Sequence, residues 1–144
     1  MFFGEFEYKI DEKGRVPLPP KFKRALEKDG VVLTPGVGEE KCITAYPLSE
    51  WKKVAATLTT DSVTPSKLRK LNRAIFATAF IVNVDGQGRI ALPIPLRNHA
   101  EIEDEVIIAG ANTYLELWNR AQWEAEKDTS QEQAWQIIES LERR

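Results

Sequence analysis

The chain has 144 residues, 42% hydrophobic and 29% charged, the balance of a folded domain rather than a disordered tail. A formal net charge of −2 excludes a uniformly basic protein that coats nucleic acid. One cysteine, Cys42, excludes an internal disulfide and a thiolate metal cluster.

Taken in chain order, Phe6, Tyr8 and Ile10 alternate as a half-buried strand does. Asp11-Glu12-Lys13-Gly14-Arg15 predicts a tight turn. Gly14 can take the left-handed conformation that such a loop needs, and the Asp11 side chain can bond to the turn's amides. Arg15 begins a short strand, and Pro20 suits the first turn of a helix over 20–28, which Asp29-Gly30 ends. Residues 31–34 and 43–46 read as strands. Between them Gly36-Val37-Gly38-Glu39-Glu40-Lys41 reads as a turn, since it lacks phosphate-loop spacing and its acids would repel a phosphate. A helix over 49–58 puts Trp51, Val54, Ala55 and Leu58 on one face. A second, over 65–77, opens with Thr64 as cap and Pro65. It turns Leu68, Leu71 and Ile75 inward, and Lys67, Arg69, Lys70 and Arg73 form an outer face, read as solvated, with a DNA or subunit contact as the alternative.

Further strands are expected near 79–84, 89–92, 105–109 and 114–118, with a short helix near 94–100. Asn119 resembles the start of a capping box before a shorter helix. The tail, 128–144, is expected as a separate helix with Ala134, Ile137, Ile138 and Leu141 on one stripe. The longest apolar run, residues 74–82 broken by Thr78, is far short of a membrane span and fits a buried element. The start lacks the basic region and apolar core of a secretory leader, so a cytoplasmic location is expected. Charge is uneven: residues 9–28 hold seven bases against three acids, and residues 124–144 hold six acids against three bases. Screening limits distant acids to roughly 8–10 Å, so a basic face on an acidic chain can still meet phosphate.

The chain repeats itself. Asp11-Glu12-Lys13-Gly14-Arg15-Val16-Pro17-Leu18-Pro19 returns 74 residues later as Asp85-Gly86-Gln87-Gly88-Arg89-Ile90-Ala91-Leu92-Pro93. Phe22 is answered by Leu96, and the pair Tyr46 and Trp51 by Trp118 and Trp123. The organisation read from this is a first repeat at 1–60, a linker helix at 61–77, a second repeat at 78–127 and a tail at 128–144. Each half is small enough to need the other.

The doubled Asp-x-x-x-Arg motif, its Leu-Pro, the opening Met1-Phe2-x-Gly4, Tyr46-Pro47-Leu48-Ser49-Glu50-Trp51 and Leu115-Glu116-Leu117-Trp118 resemble the MraZ family. That resemblance implies an α+β fold: two AbrB-like units forming a pseudo-two-fold, swapped-hairpin β-barrel, with short helices between strands and longer ones in the linker and tail. It implies a nucleoid-associated transcriptional regulator, assembled as a ring. Such a ring would bind direct repeats of double-stranded promoter DNA in its own division and cell-wall gene cluster. Carried over residue by residue, Arg15 and Arg89 contact DNA, helped by Lys13, Gln87 and Lys9. Asp11, Gly14, Asp85 and Gly88 hold the turns. No enzyme activity, cofactor, metal, membrane or small-molecule substrate is implied.

Plain alternatives stand beside these readings. Arg15 and Arg89 could simply form ion pairs within their own turns. His99, the single histidine, is expected at the surface or as a cap, and Cys42 as packing. The tryptophans fit core or subunit interface. The second repeat is acidic over 85–105, where Arg89 and Arg97 face five acids, so the first repeat is expected to supply most phosphate attraction. The rival function is an oligomeric protein-interaction module that does not bind DNA specifically.

Overall fold

The computed structural model describes residues 1–36, 40–58 and 63–142. Part of the turn expected over 36–41, the residues around the boundary between the first repeat and the linker, and the last two residues lie outside these.

The alternation of Phe6 and Tyr8 with charged neighbours yields β1 (Glu5–Lys9), whose side chains are alternately exposed and half-buried. After the first turn come β2 (Arg15–Pro17) and α1 (Pro20–Asp29), with Pro at the helix start and Gly30 after its end. β3 (Val31–Pro35) and β4 (Ile43–Pro47) follow as nearly unbroken apolar runs, buried on both faces. The second half repeats the order with β5 (Phe80–Val82), β6 (Arg89–Ala91), α4 (Ile94–Ala100), β7 (Glu105–Gly110) and β8 (Leu115–Trp118). Between the halves lie α2 (Leu48–Leu58) and α3 (Pro65–Leu71). Thr64 Oγ1 caps α3, which runs on into a π-helical turn, Asn72–Phe76. The last element is α5 (Arg120–Glu142).

Six strands form one antiparallel sheet in the order β1-β7-β8-β4-β3-β5, and β2 pairs with β6 in a separate two-stranded ribbon. Exchanging the halves maps this order onto its own reverse. Each half lends its first strand to the other: β1 pairs with β7, and β5 with β3. The register shows where the pseudo-two-fold axis runs. Val16 sits opposite its own counterpart Ile90, and Thr44 opposite Glu116, with neighbours crossing symmetrically (Arg15 with Ala91, Pro17 with Arg89). The expected closed barrel is not found. Among the described residues the sheet ends in two edges, β1 and β5, because the short β2 and β6 pair with each other instead of joining it.

The core fills the space between the ribbon, α1, α4 and the sheet. Val16, Ile90, Leu26, Leu33, Val106, Ile108 and Leu117 have no exposed surface. Phe22 of α1 receives the edges of Phe2 and Phe6 at 5.0 and 5.8 Å. A second small cluster joins Cys42, Ile107, Trp118 and Trp123, as expected of a packing cysteine.

Two further expectations fail. The helix expected after Asn119 and the separate tail are one continuous helix, since no Gly or Pro interrupts residues 120–142. Arg120 binds Glu7 at 3.0 Å and Lys127 binds Glu5 at 3.1 Å, which pins the start of α5 to β1. The apolar run at 74–82 is not one buried element. It is divided between the π-helical turn and the edge strand β5, and Ile81 is 75% exposed. The inward faces of α2 and α3 fall where expected, with Trp51, Val54, Leu58, Leu68 and Leu71 half-buried between exposed neighbours.

Candidate nucleic-acid interface

The two turns are near-identical objects. In the first, Asp11 Oδ1 accepts the amides of Lys13 at 2.9 Å and Arg15 at 2.8 Å, and Oδ2 accepts Arg15 Nε at 2.8 Å. In the second, Asp85 Oδ1 accepts the amides of Gln87 and Arg89, both at 2.9 Å, and Oδ2 accepts Arg89 Nε at 2.9 Å. Each carboxylate thus satisfies two turn amides and orients one guanidinium, which explains the residue type and the spacing together. The Arg15 amide is the chief cause that holds the Asp11 carboxyl below its ordinary value of 3.8, and the Arg89 amide does the same for Asp85.

The glycines are required by the backbone. Gly14 and Gly88 have φ of +77° and +78°, a region costly for residues with a Cβ. A Cβ on Gly14 would also come within 2.9 Å of the Arg97 guanidinium carbon, and one on Gly88 within 2.8 Å of Lys23 Cε.

The β2–β6 ribbon brings the turns together. Residues two apart on a strand share a face, as do residues directly opposed. Val16 and Ile90 therefore form the buried face, and Arg15, Pro17, Arg89 and Ala91 the other. The two arginines lie diagonally across the ribbon, with side chains 31% and 23% exposed. Reciprocal bonds lock the turns: the Leu18 amide donates to the Gly88 carbonyl at 2.9 Å, and the Leu92 amide to the Gly14 carbonyl at 2.8 Å. Arg89 Nη1 also lies 3.7 Å from Asp11 Oδ2, an ion pair between turns. The ion-pair alternative is real, but within each turn it engages Nε, and Arg89 Nη1 reaches Asp11 only at 3.7 Å, so both forks keep amino groups for another acceptor.

Lys13 and Gln87 are exposed within the turns. Lys9 stands apart from the ribbon, exposed at the end of β1 opposite Glu105. Lys23 and Arg97 were missed by the sequence reading. They occupy the same position in the two halves, and each crosses over to cover the glycine of the other half's turn. Extending the 74-residue comparison beyond Phe22 and Leu96 by one position finds them. Glu101, Glu103, Asp104, Glu105 and Glu124 border an acidic hollow, with Arg120 the one basic residue among them. His99 is half-buried, and its Nε2 has no hydrogen-bond partner among the described residues, unlike the surface or cap role expected.

These features define a class: a doubled strand-and-turn module in which one chain mates two copies of a unit across a pseudo-two-fold axis and sets both Asp-x-x-Gly-Arg turns on one ribbon. Known proteins give the class its family. The antitoxin-like MraZ protein family model matches residues 1–74 and again 75–141. A Dehalococcoides mccartyi protein named Transcriptional regulator MraZ is 63% identical over 142 residues, 99% of each chain. Relatives of the same name from Thermomicrobium roseum and Pediococcus pentosaceus are each 38% identical, covering 89% and 98% of this chain and 88% and 96% of their own. The chain belongs to the MraZ family.

Proposed function

We propose that this chain is a sequence-specific, DNA-binding transcriptional regulator that meets duplex DNA with its β2–β6 ribbon. The observation that carries the reading is the pair of partly exposed arginine side chains on one face of a two-stranded ribbon, each oriented by its own aspartate. A two-stranded ribbon fits the major groove, and an arginine fork matches guanine or phosphate. Lys13 and Gln87 assist within the turns, Lys9 assists from the end of β1, and Lys23 and Arg97 add charge beside the turns. The names of the relatives support the regulatory role.

Two arginines give few base contacts, so the reading includes assembly: a ring of copies set on direct repeats, which raises affinity through avidity. The exposed stripe of α5, with Trp135, Ile137, Ile138 and Leu141, offers an apolar face for such assembly. The proposed target is the promoter of its own division and cell-wall gene cluster on the nucleoid. No catalysis, cofactor or metal is assigned.

Fluorescence anisotropy with the DNA upstream of its gene, against a shuffled duplex of equal length, tests this reading. Salt-sensitive binding that prefers the upstream duplex is expected. An oligomer with equal affinity for both duplexes would replace the reading with that of a protein-interaction module.

A further inference from the structure

The repeat is symmetric at the turns but not around α2. A cavity of about 520 Å³ opens between α2, the π-helical turn and the ends of β3 and β4. Its wall includes Tyr46, Trp51, Val54, Leu58, Ile75 and His99, and no Asp, Glu, Lys or Arg borders it among the described residues. The volume lies in the range of small-molecule sites, which are typically apolar with a few placed polar groups. Trp51 is wedged between Tyr46 at 5.5 Å and Phe76 at 5.6 Å, so a flat aromatic wall is already fixed in place. His99, also at the border, has its buried Nε2 without a hydrogen-bond partner among the described residues. A buried nitrogen left so is costly, and a ligand that brings a hydrogen-bonding group satisfies it.

The equivalent region of the second half differs. Where α2 has Val54 and Leu58, the matching positions of α5 are Glu126 and Ser130, and where α4 has His99, α1 has Ala25. The hollows beside α5 are bordered by Glu126 in one case and Lys127 and Ser130 in another. The apolar cavity is therefore a property of one half and not a by-product of the fold.

We propose that this cavity binds an uncharged, flat aromatic small molecule carrying one hydrogen-bonding group, which His99 receives. The site is coupled to the turns through α4. That helix borders the cavity with His99 and, two residues earlier, lays Arg97 across Gly14 of the first turn. A ligand that resets α4 moves Arg97 and with it the face offered to DNA. This coupling rests on the DNA-binding reading; the binding of the small molecule does not.

The probe is N-phenylnaphthylamine, an uncharged aromatic amine. It is titrated into the full chain without DNA, labelled with 5-fluorotryptophan and followed by fluorine NMR, with Trp51→Phe assigning the resonance. Saturable binding of one probe per chain is expected to move the Trp51 signal and leave Trp118, Trp123 and Trp135 in place. Val54→Trp, which fills the cavity from a half-buried helix position, is expected to weaken binding by about tenfold or more, a loss of at least 1.4 kcal/mol. A stationary Trp51 signal, a shift confined to Trp135 on the exposed tail, or unchanged affinity in a folded Val54→Trp protein would each overturn the site. With promoter DNA added, a change of about fivefold or more in DNA affinity at saturating probe is expected. Unchanged DNA affinity with the Trp51 shift intact would overturn the coupling alone. Absence of any DNA binding without probe counts against the regulator reading instead.

Discussion

The two halves share their geometry and differ in their charge. Their turns superpose in detail: Asp-to-Arg contacts of 2.8 and 2.9 Å, and glycine φ angles of +77° and +78°. Yet Lys13, Lys21 and Arg24 of the first half stand where the second has Gln87, Pro95 and Asn98. Lys23 and Arg97 alone keep the charge along the two short helices. The backbone of the turn is fixed by a carboxylate, a glycine and an arginine, so duplication preserves it. Charge outside those three residues is free to diverge, and the first half carries more of the basic surface.

Substitutions on the shared axis act on both halves at once. Ile90→Ala removes the fully buried partner of Val16, and a loss of about 2–5 kcal/mol in unfolding free energy is expected by denaturant titration. A loss of well under 1 kcal/mol would show that the ribbon is not part of the core. Gly14→Ala sets a Cβ in a left-handed conformation and against Arg97; about 1–2 kcal/mol is expected from the conformation alone. Gly88→Ala should cost a similar amount, and a neutral result at one site alone would break the equivalence of the turns. Smaller effects separate the halves. Lys13→Ala is expected to lower the salt slope of DNA binding by about 1, while Gln87→Ala leaves it unchanged. Equal slopes in the two variants would contradict the charge asymmetry.

The least perturbing test is pH. Asp11 and Asp85 titrate below their ordinary value of 3.8 in the folded chain. Their contribution is fully present above that value and is lost as pH falls through the lowered one. Thermal melts should therefore show no loss from these groups between pH 5 and 8 and a decline below about pH 4. Glu116 has the opposite sign. Burial raises its pKa from 4.5, so its charged form opposes folding at neutral pH. Glu116→Gln, which keeps an acceptor for Trp118 Nε1, is expected to raise the melting temperature slightly at pH 7 and less at pH 4.

Much of this was legible in the sequence, because the turn is a local device. Asp11, Gly14 and Arg15 act within five residues, and their recurrence at Asp85, Gly88 and Arg89 marked the second copy. The strand and short-helix positions followed from alternation, proline and glycine. What escaped depends on contacts between distant segments. Lys23 and Arg97 matter only because each crosses to the other half's glycine. His99 read as a surface residue, because nothing local shows that α2 and the linker would wall it in. The apolar run at 74–82 looked buried by composition, yet it falls on a π-helical turn and an edge strand flanked by β3 alone, where the Ile81 side chain stays exposed.

The account turns on the two arginine forks. Anisotropy titration of Arg15→Ala, Arg89→Ala and the double variant against the upstream duplex tests it most directly, with circular dichroism confirming each fold. Each single change is expected to weaken binding by roughly 5- to 100-fold, the range of one lost bidentate contact, and the double change to weaken it further. Folded single and double variants that bind as tightly as the unaltered chain would contradict it.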